Sequence, residues 1–289
     1  MHIENSGEVS LELRAELLAL AVGIGEEAAE LLRTRRKQGV RVASTKSTEL
    51  DIVTEADREA ELFIRSHLLK ARPLDGFIGE EGEPNVGTSG VTWVVDPLDG
   101  TVNYLYGVGP YAVSIAAVSG STSPATWNSE VGVVVICPER MTYATAFSTG
   151  ATANGESIYA SSEERLSHAL VSTGFGYDRT ARKAQSALVD LLSQQVRDVR
   201  MSGSAAADLC YVASGRLDAY IEQHLHAWDY AAGALIVSEA GGVVGGAHSL
   251  RADDDLVIAS AKHVFSPIKT LIHELGPGWA YATKSNCFK

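Results

Sequence analysis

Two carboxylates, Asp96 and Asp99, stand three residues apart, with Gly100 and Thr101 directly behind them. Paired carboxylates repel unless cations neutralise them. Hard cations such as Mg²⁺ take oxygen ligands and share them with a substrate phosphate. Gly100 permits close backbone approach, and free N–H groups at the following turn can hold a phosphate. The string Asp96-Pro97-Leu98-Asp99-Gly100 is equally ordinary turn composition. Locally, a metal site and a plain turn both remain open.

Other chemistry-bearing residues are scattered along the chain. Glu80 and Glu81 close a short apolar run, Phe77 to Gly79. Adjacent acids on a strand point to opposite faces, so one of them at most faces any given site directly. Thr54 and Asp57 have capping-box spacing, although Asp57 could instead accept a proton from a hydroxyl. Gly203, Ser204 and Ala205 open a helix whose first N–H groups are free to hold a substrate oxygen, or they form an ordinary helix start. Asp229 reads as an N-cap. Glu222 lies just upstream, and His226 and Trp228 alone read as packing residues.

The elements that must position these groups follow from periodicity. Ser10 caps an amphipathic helix over about 11–36, and Arg33, Arg35, Arg36 and Lys37 close it as solvated cations favoured by the macrodipole. A β-prone stretch, 40–45, precedes a helix over 55–70. Val91 to Val95 forms a buried strand that ends on Asp96, because Pro97 has no N–H for the ladder. Strands at 111–118, 131–136 and 141–147 make a meander, with a loop at 119–130 and a turn at 150–155. From 169 onward strands and helices alternate, which implies a sheet covered on both faces. The organisation expected is an N-terminal extension (1–10), an α+β subdomain (11–155), an α/β subdomain (156–275) and a tail (276–289).

The 289 residues carry a net charge of −12, which argues against an extended nucleic-acid surface. Cys137, Cys210 and Cys287 form neither a disulfide framework nor a zinc motif. With no signal peptide and no membrane-length apolar run, a cytoplasmic protein is expected.

Four motifs occur in order: Lys46-Ser47 with Asp51, Thr54 and Asp57; Gly79-Glu80-Glu81; Trp93 to Thr101; and Trp228-Asp229 leading a small-residue helix to Glu239-Ala240-Gly241-Gly242. Together, over about residues 12–275, they resemble the inositol monophosphatase family of Mg²⁺-dependent, Li⁺-sensitive phosphatases. The resemblance implies a five-layered α-β-α-β-α sandwich of the α/β class, a homodimer, and two or three Mg²⁺ per site. By the same resemblance, Glu80, Asp96 and the carbonyl of Leu98 bind a first ion. Asp96, Asp99 and Asp229 bind a second, and Glu81 and Asp51 are outer-shell or third-metal residues. Gly100 and Thr101 hold phosphate, while the Thr101 hydroxyl, paired with Asp57, activates water for direct hydrolysis, with Glu80 also in the catalytic set. Asp99, Gly203, Ser204, Ala205 and Glu222 face the alcohol, and His226 supports them.

Val102-Asn103-Tyr104 resembles the inositol monophosphatase branch, where nucleotide-directed relatives carry Lys-x-Phe. Inositol-1-phosphate is therefore the expected substrate. Histidinol phosphate and fructose-1,6-bisphosphate are alternatives, because Glu222 suits hydroxyls and an ammonium alike. An alternative of another class is a regulatory protein that binds the transcription apparatus on this fold. No membrane or direct nucleic-acid partner is expected.

Overall fold

The computed structural model describes residues 9–45, 51–246 and 251–276. Lys46 and Ser47, the first eight residues and the tail with Cys287 lie outside them.

Helix α1 (Leu11–Gln38) starts where expected, with the Ser10 hydroxyl accepting the Leu13 N–H at 3.2 Å. Leu13, Leu17, Ala21, Ile24, Ala28 and Leu32 form its buried stripe. Its terminal cations do more than meet solvent. Arg33 donates to the Cys137 carbonyl at 3.2 Å, Arg36 to the Tyr104 carbonyl at 2.9 Å, and Arg35 pairs with Glu59. These bonds tie the helix end to the chain beside it. Strands β1 (Val42–Thr45) and β2 (Ile52–Thr54) form an antiparallel pair that delivers the chain to α2 (Glu55–Ala71).

A seven-stranded sheet follows in chain order: β3 (Gly76–Gly79), β4 (Val91–Asp99), β5 (Ala112–Ser119), β6 (Asn128–Ile136), β7 (Met141–Ala146), β8 (Ala151–Ala153) and β9 (Glu156–Ile158). All neighbours are antiparallel except β3 and β4. Period-two alternation sorts the faces. Trp93 and Val95 pack toward α1 and α2, while Val94 packs the other way. The Trp93 indole N–H donates to buried Asp75 at 3.0 Å, and Asp75 also takes Arg72 and Ser89, each at 2.6 Å. This network pins the start of β4. The short helix α3 (Thr101–Tyr106) leaves its far end.

The second sheet uses β10 (Leu170–Thr173), then α4 (Arg179–Ser193), β11 (Asp198–Arg200), α5 (Ala205–Ala213), β12 (Ala219–Glu222), α6 (Ala227–Glu239), β13 (Val243–Gly245), β14 (Val257–Ser260) and α7 (Phe265–His273). Its order is β11-β10-β12-β14-β13; β10, β11 and β12 are parallel, and β14 runs against its neighbours. Helices α5 and α6 share one apolar core with both sheets. Helices α1 and α2 cover the outside of the first sheet, and α4 and α7 the outside of the second. The layers run α-β-α-β-α, as the resemblance implied. Among the described residues no helix is long and apolar enough to cross a membrane.

Four expectations need correction. Strand β6 begins at Asn128, so the loop before it covers only 120–127. The turn expected at 150–155 contains β8 and leads into β9, and a cut at 155/156 would split that hairpin; the change of sheets falls between Ile158 and Leu170. Strand β13 hides in Gly241-Gly242-Val243-Val244-Gly245-Gly246, where glycine composition reads as loop. Pro97 does not end β4, for the reason given next.

Candidate metal and phosphate site

In β4, Asp96 pairs with Ser114 and Asp99 with Ala112 of β5. Three steps along β4 therefore match two along β5, which defines a bulge of one residue. Side chains three apart on a regular strand face opposite ways. The extra residue cancels that offset and lets both carboxylates address the same cleft. Proline suits the position, because a bulged residue need not donate to the ladder.

Each acid is held by hydrogen bonds. Asp96 Oδ1 accepts the Leu98 N–H at 2.9 Å. Asp99 Oδ2 accepts the Ser204 hydroxyl at 2.6 Å and the Ala206 N–H at 2.7 Å, so it also satisfies the first turn of α5. Asp229 Oδ2 accepts the His226 N–H at 2.7 Å. Asp229 is thus the third residue of α6 in a capping box, with His226 at the N-cap, and not the N-cap itself as expected. Glu80 stands just past the end of β3.

Asp57 combines the two roles that its sequence left open. Its Oδ2 accepts the Thr54 N–H at 2.8 Å and the Thr54 hydroxyl, completing the cap of α2. Its Oδ1 accepts the Thr101 hydroxyl at 3.0 Å, and the Leu98 carbonyl lies equally close to that hydroxyl. With its proton committed to these acceptors, Thr101 presents lone pairs to a water.

The electrostatics are those of crowded acids. Burial first, then repulsion from Glu80, Asp99 and Asp229, pushes Asp96 well above the usual carboxylate range. Asp229 is raised by burial and by Glu80 and Asp99. Burial lifts Asp57 and Asp99 to about 6 despite their hydrogen bonds. The strongest charges acting on Asp96 and Asp229 are other carboxylates. Such an oxygen-only donor set with unbalanced negative charge fits hard divalent cations. Among the described residues, no three His, Cys, Asp or Glu side chains stand close enough to enclose an ion as they are placed. Enclosing one would require the side chains to draw in.

The second sheet contributes its carboxyl edge, where parallel strands commonly meet ligands. Gly203 and Ser204 follow β11, Glu222 ends β12, and Gly174 to Tyr177 follow β10. Glu222 accepts the Tyr220 hydroxyl at 2.6 Å, and burial raises it to about 8. The rings of His226 and Trp228 stack with centroids 4.8 Å apart. The Trp228 carbonyl accepts the Ser114 hydroxyl at 3.2 Å, linking α6 to β5. The Ser204 hydroxyl, expected on the alcohol side, is spent on Asp99. Glu81 and Asp51 are partly exposed; the charge of Glu81 acts on Asp57 and that of Asp51 on Tyr177.

Sequence reasoning missed three groups. The Tyr177 phenol belongs to a residue still 37% exposed, yet desolvation and the charges of Asp51, Asp99, Glu80 and Asp229 raise it, so it lies within electrostatic reach of the acids. Asp208, raised to about 7 by burial, holds the Ser172 hydroxyl at 2.7 Å behind the Ser202–Ser204 turn. Glu61 on α2 is buried and accepts the Glu81 N–H. For Tyr177 a usable signal was Gly174-Phe175-Gly176 directly after a strand.

Fold and site define a layered phosphatase-type protein. The inositol monophosphatase family model matches residues 13–272, and the chain belongs to that family. It is 40% identical over 245 residues to the inositol-1-monophosphatase SuhB of Mycobacterium tuberculosis, covering 78% of this chain and 82% of that one. It is 41% identical over 212 residues to the Nus factor SuhB of Xylella fastidiosa, covering 72% and 74%. The crystal structure of the extragenic suppressor protein SuhB of Bartonella henselae superposes with a TM-score of 0.82 at 32% identity, covering 91% of this chain and 99% of that one.

Asp57, Asp99, Asp208 and Glu222 bind protons more tightly folded than unfolded, because burial raises them to about 6, 6, 7 and 8. The stability from that difference is complete below the unfolded values and is lost as pH rises from ~4 to ~8. In chelator, Tm is expected to fall by about 5 °C or more across that window. A Tm that stays flat or rises there would contradict these shifts.

Proposed function

We propose that this chain is a Mg²⁺-dependent phosphate monoesterase that hydrolyses inositol-1-phosphate. The observation that carries this reading is the convergence of Asp96, Asp99, Asp229 and Glu80 beside a hydroxyl held by a buried acid. Glu80, Asp96 and the Leu98 carbonyl would hold one ion, and Asp96, Asp99 and Asp229 a second. Glu81 and Asp51 would serve a third ion or the outer shell. The Leu98 carbonyl has a second lone pair beyond its contact with Thr101. When bound, Mg²⁺ supplies the positive charge that activates water and offsets the developing negative charge on the leaving oxygen.

The chain's own groups do the rest. The Thr101 hydroxyl accepts a hydrogen bond from the attacking water and orients it, while its own proton rests on Asp57. The N–H groups of Gly100 and Thr101, at the start of α3, hold the phosphate. Glu222 and the backbone at Gly203 and Ala205 meet the polyol. Ser204 acts one step back, by fixing Asp99. His226 stacks on Trp228 and supports the start of α6.

The Nus factor name of the Xylella relative favours a second reading, a regulatory role in transcription, which can coexist with catalysis. The four acids support catalysis, because binding alone has no use for crowded, mutually repelling carboxylates. A cytoplasmic location fits the free buried thiols of Cys137 and Cys210.

A phosphate-release panel decides the activity. Mg²⁺-dependent turnover is expected on inositol-1-phosphate above histidinol phosphate and fructose-1,6-bisphosphate. In that assay Asp99→Asn should lower kcat by about 100-fold or more. Folded protein that turns over none of these would overturn the enzyme reading.

A homodimer also belongs to this reading. Tyr106 and Val108, at the end of α3, are 74% and 63% exposed, and Met201, just after β11, is 45% exposed. Burying such apolar side chains between two copies is favourable. Sedimentation equilibrium should give twice the chain mass, and a monomer at micromolar concentration would contradict it.

A further inference from the structure

One turn beyond Asp57, α2 carries a second buried acid. Glu61 is only 4% exposed, and its Oε2 accepts the N–H of Glu81 at 2.7 Å. The carboxylate presses against the same turn on both sides. A Cβ at Gly79 would collide with Oε2, and one at Gly82 would stand 2.6 Å from Oε1. Glycine at these two positions is what lets the turn close around the carboxylate. Arg65, one turn further along, donates to the Glu83 carbonyl at 2.7 Å and lies over the Phe77 ring.

Asp57, Glu61 and Arg65 are spaced at i, i+4 and i+8, on one helix face. That face reaches Thr101, the turn from Gly79 to Gly82, and the chain leaving it. A side chain needed only for packing here would be apolar, because burying an acid beside Glu80 and Glu81 is unfavourable. Burial and those two neighbours raise the Glu61 carboxyl, opposed by the Glu81 N–H and Arg65. What the acid supplies is a directional acceptor for one backbone N–H.

We propose that Glu61 is a positioning residue for the metal site: through the Glu81 N–H it sets the turn that aims Glu80 into the cleft. The inference rests on the Mg²⁺ reading above. It makes α2 a single rigid ruler, with Asp57 placing Thr101 and Glu61 placing the Glu80-Glu81 turn.

Calorimetric titration of the metal-free full-length chain with Mg²⁺ tests it. Glu61→Ala should weaken Mg²⁺ binding by about 10-fold or more, the scale seen for outer-shell partners. Saturating Mg²⁺ should restore most of kcat. Glu61→Gln keeps an amide oxygen at the same reach and should bind close to wild type. If the alanine variant does not fold, Glu61→Asp, shorter by one methylene, should show the same weakening. Wild-type chain that binds no Mg²⁺ would overturn the metal reading and this inference with it. Wild-type affinity in the alanine or aspartate variant would overturn the inference alone. So would equal weakening in Glu61→Gln, because the acceptor would then not be what matters.

Discussion

The structure depends on the mutual repulsion of acids held together against water. Burial, and then the charges of neighbouring carboxylates including Glu80, raise the proton affinity of Asp96, Asp99 and Asp229. Such a cluster survives folding only if other bonds hold it. Asp96 takes an N–H from its own bulge, Asp99 two donors from the start of α5, Asp229 the capping N–H of α6, and Asp57 the cap of α2. Three of these bonds, from Ala206, His226 and Thr54, satisfy helix-start amides that would otherwise lack partners. Stability and site geometry therefore share one set of contacts.

Layering brings these anchors to one place. Helices α5 and α6 lie between the two sheets, and their first turns meet at the carboxyl edge of the second sheet. Strand β4 enters from the first sheet and ends there. Asp99 bonds α5, and Ser114 bonds the backbone of α6. A displacement of one sheet against the other would separate Asp99 from Asp229, so the shared apolar core also sets the distance between acids. Helix α2 supplies the third side, with Asp57 against Thr101.

Much of this was legible in the sequence where local rules decide. The stripe of α1, the capping box at Thr54 and Asp57, and the alternation of α/β elements after residue 169 all follow from spacing. Asp96, Asp99 and Asp229 stood out by type and motif. What stayed hidden depends on pairing between distant strands. Pro97 reads as a strand terminator, and only the register against β5 shows it as a bulge that the strand absorbs. Asp229 sits three residues inside α6 because His226 can take the N-cap, which composition alone does not favour. Strands of three residues, β8, β9 and β13, carry too few positions for alternation to register. Glu61 and Tyr177 lay in an ordinary helix face and a glycine-rich link, and only the folded chain turns them toward the acids.

The central claim is that the one-residue bulge at Pro97 lets Asp96 and Asp99 share a cation with Asp229. Crystals grown with Mn²⁺ in place of Mg²⁺, measured for anomalous scattering, test it most directly. An anomalous peak should lie within coordination distance of the Asp96, Asp99 and Asp229 carboxylates together. Mn²⁺ bound elsewhere, or no peak at the bulge in well-ordered crystals, would contradict the account.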